Sequence, residues 1–203
     1  MQITPIRVGI DNFSYLVQCT QTQKCALIDP GNNASEAMKF IGSKNLELVC
    51  VIDTHHHRDH TADNSRLAGL YCCEILSSVE DASMLEDVTR TVSDGEILMV
   101  GNMRLEFLLT PGHTPGSLCV LADGKALFTG DTLFIGDCGR TDLAGGSNPQ
   151  LFASLQRIKS LPDDVIIYPG HDYGEVPSDS LGNQKKVNKT LLAGSMEEFA
   201  HIP

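Results

Sequence analysis

No Cys-x-x-Cys pair occurs among the seven cysteines, Cys19, Cys25, Cys50, Cys72, Cys73, Cys119 and Cys138, so a cysteine-built metal or dithiol centre is not expected. Cys50 and Cys119 fall in apolar, strand-like runs where a free thiol packs as a small hydrophobe. The odd count fits a reducing cytoplasm, and the adjacent Cys72 and Cys73 read as structural. Basic charge is scarce as well: 15 Lys and Arg against 26 Asp and Glu leave a net charge of -11. That balance disfavours nucleic acid and anionic membrane as partners. No stretch approaches the roughly 18 apolar residues of a membrane span. The start, Met1 to Arg7, lacks the apolar core of a signal peptide. A soluble, cytoplasmic chain is therefore expected. Repeats, low-complexity tracts and long linkers are also missing. With 203 residues and 41% hydrophobic content, one domain spanning 1–203 is expected. Oligomeric state is not readable from the sequence.

What is present is a regular alternation of strand and helix patterns. Strands are predicted at Ile6–Gly9, Ser14–Gln18, Ala26–Asp29, Leu48–Asp53, Glu74–Leu76, Glu96–Met99, Met103–Thr110, Ser117–Leu121, Lys125–Thr129 and Val165–Tyr168. Helices are predicted over Ser35–Ser43 with Ser35 as N-cap, from about Ala62 or Asp63 through Leu67 and Leu70, near Val79–Leu85, from Pro149 to about Ser160, and at Met196–Ala200. Gly95, Gly101 and Asp123-Gly124 punctuate the middle as hairpin turns, which makes the sheet antiparallel there. The alternation favours a sheet-rich α/β core with helices outside.

The chemistry concentrates at Thr54-His55-His56-His57-Arg58-Asp59-His60, an H-x-H-x-D-H run directly after the apolar segment 48–52. Imidazole nitrogens and carboxylate oxygens are ligands for divalent cations. Alternation sends His55 and His57 to one side, and Asp59 and His60 lie further round the turn. One segment thus half-builds two neighbouring metal positions. Three more strand ends carry a glycine beside a ligand type: Gly112-His113, Gly130-Asp131 and Gly170-His171. Glycine there lets backbone approach a site closely. A histidine run alone can be a solvated loop, and His56 and His201 fit that description or a supporting hydrogen bond better than ligation.

In order, H-x-H-x-D-H, G-H-T-P-G-S, T-G-D-T-L-F and P-G-H-D-Y-G resemble the metallo-β-lactamase fold superfamily over nearly the whole chain. The resemblance implies an α/β fold, a four-layer αββα sandwich. It implies that His55, His57 and His113 hold one metal, that Asp59, His60 and His171 hold the other, and that Asp131 bridges. Two divalent metals, with zinc the expected ion, would polarise a shared water toward hydroxide for attack on an ester, thioester or amide. Asp59 and Asp131 are the expected catalytic carboxylates. Tyr173 is a candidate for pointing its hydroxyl at substrate.

Within that superfamily, Thr54-His55-His56-His57 and the ligand spacing resemble glyoxalase II, which implies a small-molecule thioester as substrate. The full-length glyoxalase II carries a C-terminal helical domain for glutathione, and this sequence ends soon after His171. Gly130-Asp131-Thr132-Leu133-Phe134 with Cys138-Gly139-Arg140-Thr141-Asp142 resembles both short glyoxalase II-like hydrolases and persulfide dioxygenases. The dioxygenase alternative implies a single iron(II) on His55, His113 and Asp131 and a thiol-derived substrate. Gly136-Asp137-Cys138 and Leu143-Ala144-Gly145-Gly146 look closer to the hydrolases, so a thioester hydrolase is expected, ahead of the dioxygenase and of a non-catalytic metal-binding protein. Arg140 and Asp142 are expected either to line the pocket or to pair and fix their loop. Lys185, Lys186 and Lys189 form a short cluster, read as a solvated face or a small anion-binding patch.

Overall fold

In a computed structural model, residues 1–202 are described. They form two six-stranded mixed sheets with helices on both outer faces. The first sheet contains β1 (Gln2–Val8), β2 (Asn12–Gln18), β3 (Lys24–Ile28), β4 (Glu47–Ile52), β5 (Glu74–Ser78) and β6 (Arg90–Val92), in that spatial order. β1, β2 and β3 pair antiparallel, and β3 through β6 pair parallel. The second sheet contains β7 (Ile97–Val100), β8 (Met103–Leu109), β9 (Leu118–Ala122), β10 (Ala126–Gly130), β11 (Ile166–Pro169) and β12 (Asp179–Ser180), with a parallel step only between β10 and β11.

Strand alternation explains the layering. On β2, Phe13, Tyr15 and Val17 face the core between the sheets while Leu16 faces outward; on β3, Ala26 and Ile28 face that core while Cys25 and Leu27 face outward. Because both faces are covered, both sets are apolar, which is why these strands read as continuous hydrophobic runs. From the second sheet, Leu105, Phe107, Val120, Ala126 and Phe128 fill the same central layer. Cys25 and Cys50 are wholly buried, and burial pushes their thiols up to about 12, so both act as small apolar groups.

The outer layers follow helical spacing. α1 (Ser35–Ser43) and α3 (Asn64–Tyr71) cover the first sheet through Ala37, Ile41 and Leu67. α5 (Asn148–Lys159) covers the second through Leu151, Leu155 and Ile158, with Pro149 in its first turn and Ser147 as N-cap. Four-residue α2 (Arg58–Thr61) and α4 (Val79–Ala82) lie on the first-sheet side. α6 (Leu181–Val187), α7 (Lys189–Leu192) and α8 (Met196–Ala200) pack beside α5 through Leu181, Leu191 and Phe199.

Several local expectations need correction. Ser35 is the first residue of α1 rather than its cap; Ala34 holds the cap position, and its N–H donates to Asp63 Oδ2 at 2.7 Å from across the fold. The helix expected to begin near Ala62 or Asp63 is α3, with Asp63 at its N-cap, and a separate short helix over residues 58–61, with His57 at its N-cap, precedes it unexpected. β6, β12, α6 and α7 were not predicted at all. No helix of the described residues is long and apolar enough to cross a membrane.

Candidate metal centre

Four strand ends deliver the site. β4 stops at Ile52 and leads through Thr54 to His55 and His57, with Asp59 and His60 on α2; β8, β10 and β11 lead to His113, Asp131 and His171. The structure brings all seven together. His57 Nδ1 stands 3.1 Å from His55 Nε2 and 3.0 Å from His113 Nε2. Beside that group, His60 Nε2 stands 3.2 Å from His171 Nε2, and Asp59 Oδ2 stands 3.4 Å and 3.5 Å from them. Asp131 lies between: Oδ2 is 3.5 Å from His113 and 3.3 Å from His171, and Oδ1 is 3.5 Å from His60.

Hydrogen bonds behind the rings decide which nitrogens face inward. Asp29 and Asp11 carboxylates and the Arg140 carbonyl can only accept, so the Nδ1 atoms of His60, His171 and His113, at 3.0, 3.1 and 2.7 Å, carry the protons. Thr54 Oγ1 donates its one hydrogen to Asp29, so it accepts from His55 Nδ1. With Nδ1 so engaged, each of these four histidines turns its Nε2 into the site, the nitrogen left to ligate a metal. Lone pairs about 3 Å apart repel unless a cation lies among them. Ligand atoms around tetrahedral zinc, at bonds of ~2.1 Å, stand roughly 3.4 Å apart. Asp131 Oδ1 is buried with no hydrogen-bond donor. A histidine and aspartate metal-binding site is present, and its donors suit zinc, iron or manganese alike.

The electrostatics show the same appetite for positive charge. At His60 burial is the largest influence and pulls the imidazolium down, yet Asp131, Asp29 and Asp59 outweigh it and carry the group up to about 9. At Asp131 burial acts to raise the carboxyl, but His60, His171 and His55 reverse it and hold the group well below the usual carboxylate range. His55 is driven far below the usual imidazole value by burial and by its neighbour His60.

The remaining sequence candidates divide. Tyr173 is 57% exposed, stacks on His171 at 4.8 Å with 13° between rings, and lines the cleft, so its ring covers a ligand-type side chain. Arg140 and Asp142 do form a two-pronged ion pair, at 2.6 and 2.7 Å, and Arg140 also lines the cleft; both readings of that loop hold. Lys185 is tied to Asp163 and the Leu161 carbonyl, and Lys189 pairs with Asp137, which counts against an anion-binding patch. His56 turns its ring away to Asp81, 2.9 Å off, and His201 is exposed.

Four supporting residues escaped the sequence reading: Asp11, Asn12, Asp29 and Asp81. Asp11 and Asp29, carboxylates at strand ends, carried the faintest signal. Asp81, 1% exposed, joins two ligand loops: Oδ2 accepts from His56 N and Thr114 Oγ1 at 3.0 and 2.8 Å, and Oδ1 accepts from Gly116 N at 2.8 Å. Asp81→Ala leaves those donors buried and unpaired and is expected to destabilise the protein by about 3 kcal/mol. Urea unfolding monitored by circular dichroism checks it; an unchanged midpoint would refute the clamp.

Two facing mixed sheets flanked by helices, with a histidine and aspartate site on the loops at their strand ends, define a metal-binding αββα protein. The model of the metallo-β-lactamase superfamily matches residues 8–171, and the chain belongs to that superfamily. It is 37% identical to the hydroxyacylglutathione hydrolase of Rhodospirillum rubrum over 174 residues, 85% of this chain and 67% of that protein. It is 34% identical to the human mitochondrial persulfide dioxygenase ETHE1 over 195 residues, 94% of this chain and 75% of that one. Among solved structures, ETHE1 from Myxococcus xanthus superposes with a TM-score of 0.90 at 32% identity, covering 100% of this chain and 92% of that chain.

Proposed function

We propose that the chain is a metal-dependent hydrolase of a small-molecule thioester, with His55, His57 and His113 holding one divalent metal, Asp59, His60 and His171 a second, and Asp131 between them. The observation that carries the reading is the completeness of the second triad. Ligand atoms of Asp59, His60 and His171 converge to within 3.5 Å of one another, and carboxylates brace two of them from behind. The likeness to hydroxyacylglutathione hydrolases supports the same choice. Zinc is the ion we expect.

Divalent metals bound there would supply Lewis-acid activation of water and of a carbonyl oxygen. The chain's own residues do the rest. Asp131 fixes the spacing of the two triads. Asp59, with its side chain 49% exposed, is the carboxylate nearest solvent and is placed to orient a water's proton. Tyr173, Arg140, Arg58 and Leu143 line the mouth of a cleft of about 360 Å³, with Asp131 and His171 on its floor. Of the two arginines Arg140 is neutralised by Asp142, which leaves Arg58 as the positive charge at the mouth that would draw a small anionic substrate.

A persulfide dioxygenase reading is favoured by the likeness to ETHE1 over the whole chain. It would place one iron(II) on His55, His113 and Asp131, whose facing atoms are 4.0 Å and 3.5 Å from Asp131 Oδ2. Anaerobic purification with metal counting, followed by parallel assays of thiol release from S-lactoylglutathione and oxygen uptake with glutathione persulfide, separates the two. We expect two metals per chain and thiol release. One iron with oxygen uptake would overturn the hydrolase.

A further inference from the structure

The members of the second triad are not equally braced. His60 and His171 are fixed through Nδ1 by Asp29 and Asp11. Asp59 stands half-exposed on the four-residue α2. Among the described residues, the only side chain that donates a hydrogen bond to it is Asn12, Nδ2 to Oδ2 at 2.8 Å. The same amide nitrogen lies 3.3 Å from His60 Nε2 and 3.3 Å from His171 Nε2, so it reaches all three members at once.

We propose that Asn12 is the positioning residue of the second metal position: its amide holds the Asp59 carboxylate in register with His60 and His171 and so sets how tightly a second cation is retained. The main chain fixes the amide's place. Phe13 N donates to Gly170 O and Asp172 N donates to Asp11 O, both at 2.8 Å, which clips the start of β2 onto the loop carrying His171. Those bonds survive loss of the side chain. Being neutral, the amide donates to Asp59 without bringing a competing positive charge to a site built for a cation. Near the first triad no such amide stands; His55 and His113 are held by Thr54 and by a loop carbonyl. Asn12 therefore acts on one metal position and not on the other.

The inference rests on reading the triads as metal positions, and not on which reaction follows. Its test is zinc titration of the full chain against a chromophoric chelator, with metal counting, for wild type, Asn12→Ala, Asp59→Ala and the double variant. Losing a supporting partner of a metal ligand typically weakens binding about 10- to 100-fold, and that is the loss expected for the second zinc in Asn12→Ala, the first staying within about twofold. On the Asp59→Ala background Asn12→Ala should change nothing further, because Asn12 acts through Asp59. Asn12→Leu keeps the side chain's heavy-atom count and branching without its donor and carries the test if the alanine variant folds poorly. Wild-type affinity for both zincs in the Asn12 variants, equal weakening of both, or a full additional loss on the Asp59→Ala background would each overturn the proposal. A wild-type chain that takes up no zinc would remove the metal reading beneath it, whatever the activity assays show.

Discussion

Replacing Asp131 with alanine is expected to lower kcat/KM for a thioester substrate by about 10³-fold or more while the fold is kept, since removing one group that stabilises transition-state charge commonly costs that much. Asp131 reaches members of both triads, so its loss loosens their spacing: Oδ2 faces His113 and His171, and Oδ1 faces His60. Metal content should fall with activity. The fold should survive because the apolar layers between and outside the two sheets do not involve Asp131. In chelator, the alanine variant should still unfold cooperatively but melt below wild type by scanning calorimetry, because His60 and His171 lose a buried partner. Asp131→Asn keeps the shape and loses the charge; it is expected to fail nearly as badly, because the neighbouring imidazoles hold this carboxyl ionised. Its neighbours hold the group ionised throughout the working pH range, so an acid limb of the pH–rate profile does not report Asp131. Activity above a tenth of wild type with full metal content would remove Asp131 from the centre of the mechanism.

How much of this was legible depended on how local each signal was. β2, β3, β4 and β10 were readable because both faces of these strands are buried, so side chains such as Leu16 and Val17 are apolar together. α5 was readable because Pro149 marks its start and Leu151, Leu155 and Ile158 repeat at helical spacing. β6, β12, α6 and α7 were not, because two to seven residues hold too few apolar positions to show a period. α7 contributes one wholly buried leucine, Leu191, and owes its place to packing beside α5. The seven ligand-type residues were visible because each sits in a short motif at a strand end. Their braces were not, because His60 finds Asp29 across 31 positions and His171 finds Asp11 across 160. Ser35 looks like a cap by its type, yet it opens the helix, and its own N–H donates to Asn33 Oδ1 at 3.2 Å.

The glycines beside the ligands were read as points of close backbone approach, and the strongest consequence is at Gly170. A Cβ there would stand 2.4 Å from Asp131 Oδ1, 2.9 Å from the Gly130 carbonyl carbon and 3.0 Å from His60 Cε1. Gly170 cannot retreat freely, because its N–H donates to Gly130 O and its carbonyl accepts from Phe13 N, each at 2.8 Å. Gly170→Ala must therefore push Asp131, which lies between the triads, and His60, a member of the second. Overpacking of this kind costs about 1–3 kcal/mol, and a displacement of about 1 Å at reacting groups can cost 10²-fold in rate. The variant is expected to lose about 3 kcal/mol in urea unfolding and at least about 10²-fold in kcat/KM, with metal content reduced in proportion. Gly42 in α1 and Gly69 in α3 are the controls, since a Cβ at either meets nothing within 4 Å. Alanine at those two helical positions should leave activity unchanged and raise stability by about 0.5–1 kcal/mol each. If Gly170→Ala behaved like the controls, the site would have room that its spacing denies, and the two triads would be free to move apart.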